Sequence, residues 1–253
     1  MTFFTLALFV AGVLLGSFFN VVARRLPLGE SPVYPPSHCP ACGCRLSARD
    51  LVPVLSYLWL KGRCRYCGAG ISPLYPVGEL TTGLLFVWVY YATGWRPELW
   101  VGLLFVSLLV IAALGDVWHR LIPNRLILVV LAGGIMARLL VPLPGGFWSA
   151  LAGILPGGVM LGLAALVSRG GMGEGDVKLA AVLGPFLGWQ GALLAVFLAS
   201  VLGGVVGLSL ILAKVIGRRD PVPFAPFLAG GFLLAYLYGV RIIGWYSSVA
   251  LGR

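Results

Sequence analysis

Long runs without charge constrain this chain more than any other feature. Residues 2–23, 99–115, 139–168, 179–213 and 221–240 contain no Asp, Glu, Lys or Arg. Roughly 17–25 apolar residues cross a bilayer as a helix, and these runs match, exceed or approach that length. Soluble domains carry about 25% charged residues, whereas this chain carries 10%, beside 60% hydrophobic residues. With so little polar surface to cover a core, the chain reads as an all-α polytopic membrane protein.

About eight spans are expected, near 2–22, 79–93, 99–115, 123–140, 147–167, 177–188, 190–213 and 224–242. The sixth is short for a full crossing, and Gly188-Trp-Gln-Gly191 suits a turn before the seventh. The first run has no basic residue ahead of it and no small-x-small cleavage site, so it is expected to be retained rather than removed as a signal peptide. Three regions follow: a first transmembrane helix over 1–23, a cysteine-rich loop over 24–78, and a transmembrane domain over 79–253. No internal repeat is visible.

A net charge of +10 would suggest nucleic acid in a soluble protein. Its distribution points to topology instead. If segment 24–78 and every second loop after it share one side, that side holds 14 of the 18 basic residues. The other keeps Arg96, Arg138, Arg241 and Arg253. Cytoplasmic loops collect Lys and Arg, so the long loop is expected in the cytoplasm and both termini outside. The partner this implies is the lipid bilayer, not nucleic acid.

Segment 24–78 is too short for a hydrophobic core, and pieces of this size rely on disulfides or a metal. It contains Cys39-Pro-Ala-Cys42 and Cys64-Arg-Tyr-Cys67, separated by 21 residues. Two such pairs at this distance fit a tetrahedral zinc site, and four protein ligands make that zinc structural. The alternatives are two disulfides or four buried thiols; disulfides are rare in a reducing compartment. Cys44 is the odd cysteine, and His38 is not needed as a ligand.

Only eight acidic residues are present. Glu30, Asp50, Glu98 and Asp220 fall in loops and read as solvated charges. Asp116 closes one span, in Leu114-Gly-Asp-Val-Trp-His-Arg-Leu-Ile-Pro-Asn124. Asp176 opens another, in Gly171-Met-Gly-Glu-Gly-Asp-Val-Lys178. Ionisable residues at membrane spans are costly and mark function by default. The plainer readings are that Asp176 caps a helix starting at Val177 and that Asp116 pairs with Arg120. Two carboxylates at matching depth support one chemistry, acid–base hydrolysis by water across a shared proton. No other hydrolytic set competes: His38 and His119 are the only histidines, and no serine lies in a G-x-S-x-G setting.

Several segments together resemble the type IV prepilin peptidase family of membrane aspartyl proteases. They are Gly16-Ser-Phe-Phe-Asn-Val-Val-Ala-Arg-Arg-Leu-Pro27, Pro36-Ser-His-Cys-Pro-Ala-Cys42, Leu51-Val-Pro-Val-Leu-Ser-Tyr57, Gly62-Arg-Cys-Arg-Tyr-Cys-Gly68 and Ile71-Ser-Pro-Leu-Tyr-Pro-Val-Gly-Glu79. The two aspartate segments follow in family order, then Pro223-Phe-Ala-Pro-Phe-Leu-Ala-Gly230. The resemblance implies a bacterial inner-membrane enzyme with Asp116 and Asp176 as catalytic residues. It would cleave the basic leader of prepilins or pseudopilins of pili and type II secretion systems. It would then N-methylate the new terminus using S-adenosylmethionine. The methyltransferase half rests on the resemblance alone, through the cysteine loop and Glu79, because no dinucleotide-type glycine fingerprint is visible. Two other classes stand beside this one: a transporter, or a membrane scaffold with a zinc knuckle.

Overall fold

A computed structural model describes residues 2–167, 172–217, 220 and 222–250. Gly171 and four of the basic residues behind the charge asymmetry (Arg169, Arg218, Arg219 and Arg253) lie outside them. Among the described residues every extended element is a helix, and β pairing is limited to two isolated bridges in the cysteine loop. The all-α membrane class read from the sequence is therefore the observed one. Five stretches are long and apolar enough to cross a bilayer: Thr2–Leu28, Pro97–His119, Gly146–Val167, Glu174–Leu212 and Ala225–Val249. The count differs from eight because two shorter or more polar helices fall outside this set and one 39-residue helix counts once.

The chain forms two compact units, Met1–Gly94 and Trp95–Arg253. In the first, α1 (Thr2–Arg25) packs along α3 (Leu74–Thr93), with α2 (Leu55–Trp59) in the loop between them. Glycine makes the close approach possible. A Cβ on Gly12 would stand 2.8 Å from the Gly83 Cα, and one on Gly16 would stand 2.9 Å from the Glu79 Cα. Small residues let apolar helices approach at backbone distance, where dispersion replaces the missing hydrophobic drive. Asn20, fully buried, bridges the pair by donating from Nδ2 to the Gly16 carbonyl at 3.1 Å and the Tyr75 carbonyl at 3.0 Å.

The second unit contains α4 (Pro97–His119), α5 (Asn124–Leu140), α6 (Gly146–Ala152), α7 (Ile154–Val167), α8 (Glu174–Leu212) and α9 (Ala225–Ala250). Helix α8 is central and packs against α5, α6, α7 and α9. Its core is aromatic: the Phe105 ring lies 4.7 Å from Phe186 and 5.0 Å from Tyr236. Helix α8 breaks at Gly188, whose φ of 75° and ψ of 173° are not helical. The turn expected at Gly188–Gly191 begins at this residue. Carbonyls freed by the break need donors, since lipid supplies none. Arg138 supplies them, giving Nε to Pro185 O at 2.8 Å and Nη2 to Phe186 O at 3.5 Å, while its Nη1 reaches Pro144 O between α5 and α6 at 2.6 Å. Arg138 is thus a buried brace and not a solvated charge on an external loop.

Backbone-level contact recurs where α6 and α7 meet α8. A Cβ on Gly157 would lie 2.4 Å from the Ala180 carbonyl oxygen, and one on Gly184 only 2.0 Å from the Gly153 oxygen. These glycines set how closely the first half of α8 approaches α6 and α7.

Candidate active site and metal knuckle

Asp116 stands in the last turn of α4, which ends at Arg120 in a left-handed cap whose N–H bonds the Asp116 carbonyl at 2.8 Å. Asp176 stands in the first turn of α8, with its N–H on the Gly173 carbonyl at 3.1 Å. A helix end and a helix start thus each project one carboxylate. Both are buried, at 6% and 8% exposure, and they lie close enough to act on each other electrostatically. Gly175 helps the approach, since a Cβ there would meet the Ile122 side chain at 3.1 Å.

Neither plainer reading fits the geometry. Helix α8 starts at Glu174, so Asp176 lies inside its first turn, and Gly173 occupies the cap without a side-chain bond. Among the described residues the ion pairs are Arg65–Asp50 and Lys178–Glu174, so Asp116 makes no ion pair with Arg120. Asp116 is held by backbone instead: its Oδ2 accepts the Ala225 N–H at 3.0 Å. Asp176 Oδ1 is buried with no partner. A buried carboxylate oxygen with an open lone pair is costly in a resting core, and it suits a site that receives a substrate atom or water.

Glu79 belongs to the first unit. It is 6% exposed on α3, beside Gly16 of α1. Its Oε2 accepts the Val54 N–H at 2.7 Å, and the Ser17 hydroxyl is a further partner. Val54 has φ of 60° and ψ of −53°, with Leu55 N on Pro53 O at 2.6 Å. This is a γ-turn of the strained, positive-φ kind, unusual for a β-branched residue. Glu79 therefore fastens the cysteine loop to the helix pair through a backbone amide.

The four cysteines converge. Cys39, Cys42, Cys64 and Cys67 place their sulfurs within 4.8 Å of one another, and Cys39 Sγ lies 3.8 Å from Cys67 Sγ. Tetrahedral zinc with bonds of about 2.3 Å holds its sulfurs about 3.8 Å apart, so the residues fit the ion. The two pairs are built alike. Cys39 N bonds Cys44 O at 3.0 Å and Cys64 N bonds Ala69 O at 2.8 Å, while Gly43 and Gly68 adopt φ of 70° and 73°. Glycine takes this left-handed conformation without a Cβ penalty, and the turn aims amides at sulfur. The Cys42 and Ala41 amides lower the Cys39 thiol to about 6, while burial and the neighbouring thiols push Cys42 and Cys67 up, as close thiols that share charge do. Cys44 is exposed and contributes only its carbonyl, while His38 bonds Pro36 O; neither belongs to the cluster.

Asp50 was read as a solvated loop charge, and the structure gives it a bracing role. It accepts the Ser47 hydroxyl at 2.7 Å, Arg65 Nε at 2.7 Å and Tyr66 OH at 3.2 Å. Arg65 and Tyr66 are the two residues between Cys64 and Cys67, so Asp50 secures the second cysteine turn. The Ser47 hydroxyl first, then Arg65, hold its carboxyl down at about 2. Ser47 three residues before Asp50 is the signal for such a reciprocal cap.

Two buried aspartates, one in the last turn of α4 and one in the first turn of α8 of an apolar helical bundle, are groups an aspartyl peptidase of the membrane would need. Residues 10–93 match the bacterial peptidase A24 N-terminal domain, and residues 103–208 match the type IV leader peptidase family. The chain is 40% identical to a prepilin leader peptidase/N-methyltransferase of Bacillus subtilis (strain 168), over 97% of this chain and 98% of that protein. Proteins of the same name from Aeromonas salmonicida (strain A449) and Pseudomonas aeruginosa are 36% and 34% identical, over 96% and 98% of this chain and 94% of each relative. The chain therefore belongs to the type IV leader peptidase family and is a multi-pass membrane protein. No solved structure matches it.

Proposed function

We propose that this protein is the leader peptidase its relatives' names describe, and that Asp116 and Asp176 are its catalytic residues. The observation that carries this reading is the burial of both carboxylates, in the last turn of α4 and the first turn of α8, with Asp176 Oδ1 left open. Adjacent carboxylates hold one proton between them. The unprotonated member takes a proton from water, whose oxygen attacks the scissile carbonyl carbon. The protonated member gives its proton to the carbonyl oxygen. As the resulting diol collapses, the C–N bond breaks and the amine leaves with the proton first taken from water. The other proton returns to the dyad, so one water is consumed.

The substrate is a prepilin or pseudopilin whose basic leader stays in the cytoplasm while its apolar helix stays in lipid. Residues 24–78 face the cytoplasm of a bacterial inner membrane, as the basic asymmetry supports. A periplasmic impermeant thiol reagent should not label cysteines introduced there, and labelling would invert the topology. The cysteine loop holds one zinc, which stabilises the fold and takes no part in hydrolysis. Methylation of the new terminus with S-adenosylmethionine is the second activity, with Glu79 contacting the donor or the amine. Purified protein incubated with a prepilin-like peptide should release the leader, and the mature product should gain 14 Da only when S-adenosylmethionine is present, one methyl group replacing hydrogen. An uncleaved peptide would favour a transporter or scaffold.

A further inference from the structure

The two aspartates are not held alike. Asp116 Oδ2 receives the Ala225 amide at 3.0 Å. Asp176 Oδ1 is buried and has no partner. Amides only donate, so the oxygen that accepts Ala225 N–H does not carry the dyad's proton. Ala225 is fully buried and opens α9, where the amides of the first turn have no acceptor within the helix. Asp116 supplies that acceptor from α4, 109 residues away in sequence.

We propose that the first turn of α9 is a positioning element that divides the labour of the dyad, making Asp116 the base and Asp176 the acid. This rests on the proposed catalytic role of the pair. Asp116 Oδ2 stays tied to the Ala225 amide while its Oδ1 takes the proton from water. Asp176 gives the shared proton to the carbonyl oxygen. The N-terminal amides also fix the Asp116 rotamer, as a helix start does for any carboxylate it meets. His119 lies one turn beyond Asp116 on α4 and is unchanged in every variant below. Residues 225–228 of α9 are Ala-Pro-Phe-Leu, Arg125 at the start of α5 is exposed, and Glu174 is exposed and paired with Lys178. Arg120 is left unchanged by the test below.

The test replaces Ala225 with its α-hydroxy analogue, lactic acid, so that an ester oxygen stands where the N–H was and the side chain is unchanged. The same replacement at Ala229, one turn further into α9, controls for the ester itself. Ala225→Pro is the second variant, since proline also lacks the N–H and suits the first helical position. The pH profile of kcat/KM for peptide cleavage is the readout, because its acid limb reports the base of the free enzyme. Losing one amide bond to a charged carboxylate should move that limb up by about one to two pH units. The rate below the limb then falls about ten- to hundredfold while the plateau is largely kept. The Ala229 ester should leave the limb in place. An unmoved limb in the Ala225 ester, whether or not the plateau falls, overturns the assignment. Cleavage by Asp116→Asn or Asp176→Asn would overturn the catalytic reading itself, so the two failures are distinct.

Discussion

Gly157→Ala should perturb the active site through the face of α7 that meets α8. A Cβ at residue 157 would stand 2.4 Å from the Ala180 carbonyl oxygen and 2.6 Å from its carbon. Ordinary contact begins at 3.4 Å, so the two backbones must separate by about 1 Å. Helices α6 and α7 meet the first half of α8 at backbone distance in two places, Gly153–Gly184 and Gly157–Ala180. The expected displacement is that of the first half of α8. Asp176 lies one turn before Ala180, and displacing a catalytic group by about 1 Å costs about 100-fold in rate. Overpacking costs about 1–3 kcal/mol, offset by about 0.5–1 kcal/mol for replacing a helical glycine. Activity should fall much further than stability. The assay is kcat and KM for peptide cleavage in detergent, with thermal unfolding in parallel. Gly158→Ala and Gly162→Ala are controls, because their Cβ atoms would meet side chains at 3.4 and 3.8 Å. A Gly157→Ala rate within threefold of both controls would refute the claim that this spacing sets Asp176.

The knuckle should carry about one zinc per chain; serine at Cys39, Cys42, Cys64 or Cys67 should each lower zinc content and expose the loop to protease, and Cys44→Ser should do neither. Asp50→Asn should speed zinc release to a chelator several-fold by freeing Arg65 and Tyr66. The Asp50 carboxyl is depressed to about 2 when folded, so its contribution is complete above about pH 4 and is lost only as pH falls towards 2. The ratio of variant to wild-type release rates should therefore be constant from pH 6.5 to 8, and a ratio that changes across that range contradicts this role. Glu79→Gln should impair methyl transfer more than cleavage, read by mass spectrometry of the same peptide. Equal loss of both activities would instead assign Glu79 to anchoring the loop through Val54.

Features that rest on local sequence were legible before the fold was known. Charge-free runs predict membrane helices, and both cysteine pairs carry their own turn glycines. Asp116 and Asp176 stand out because acidic residues are scarce and theirs lie at span ends. Relations between distant segments were not legible. Nothing near residue 225 announces that its amide meets a carboxylate on α4, since backbone donors leave no mark in side-chain identity. Arg138 reads as a loop cation because two of its acceptors, the Pro185 and Phe186 carbonyls, lie at a helix break 47 and 48 residues away. Asp50 carried a signal in Ser47, but its grip on Arg65 and Tyr66 depends on the tertiary turn.

Cleavage of a prepilin-like peptide by Asp116→Asn and Asp176→Asn tests the central claim most directly. Asn keeps the size and polarity of Asp and can still accept the Ala225 amide, but it neither takes a proton from water nor delivers one to a carbonyl oxygen. Each variant should insert, retain zinc and lose cleavage by at least about a thousandfold, in line with the usual weight of acid–base catalysis. Glu174→Gln, two residues from Asp176 on an exposed surface paired with Lys178, should keep most of its activity. Near wild-type cleavage by either Asn variant would contradict the aspartyl mechanism.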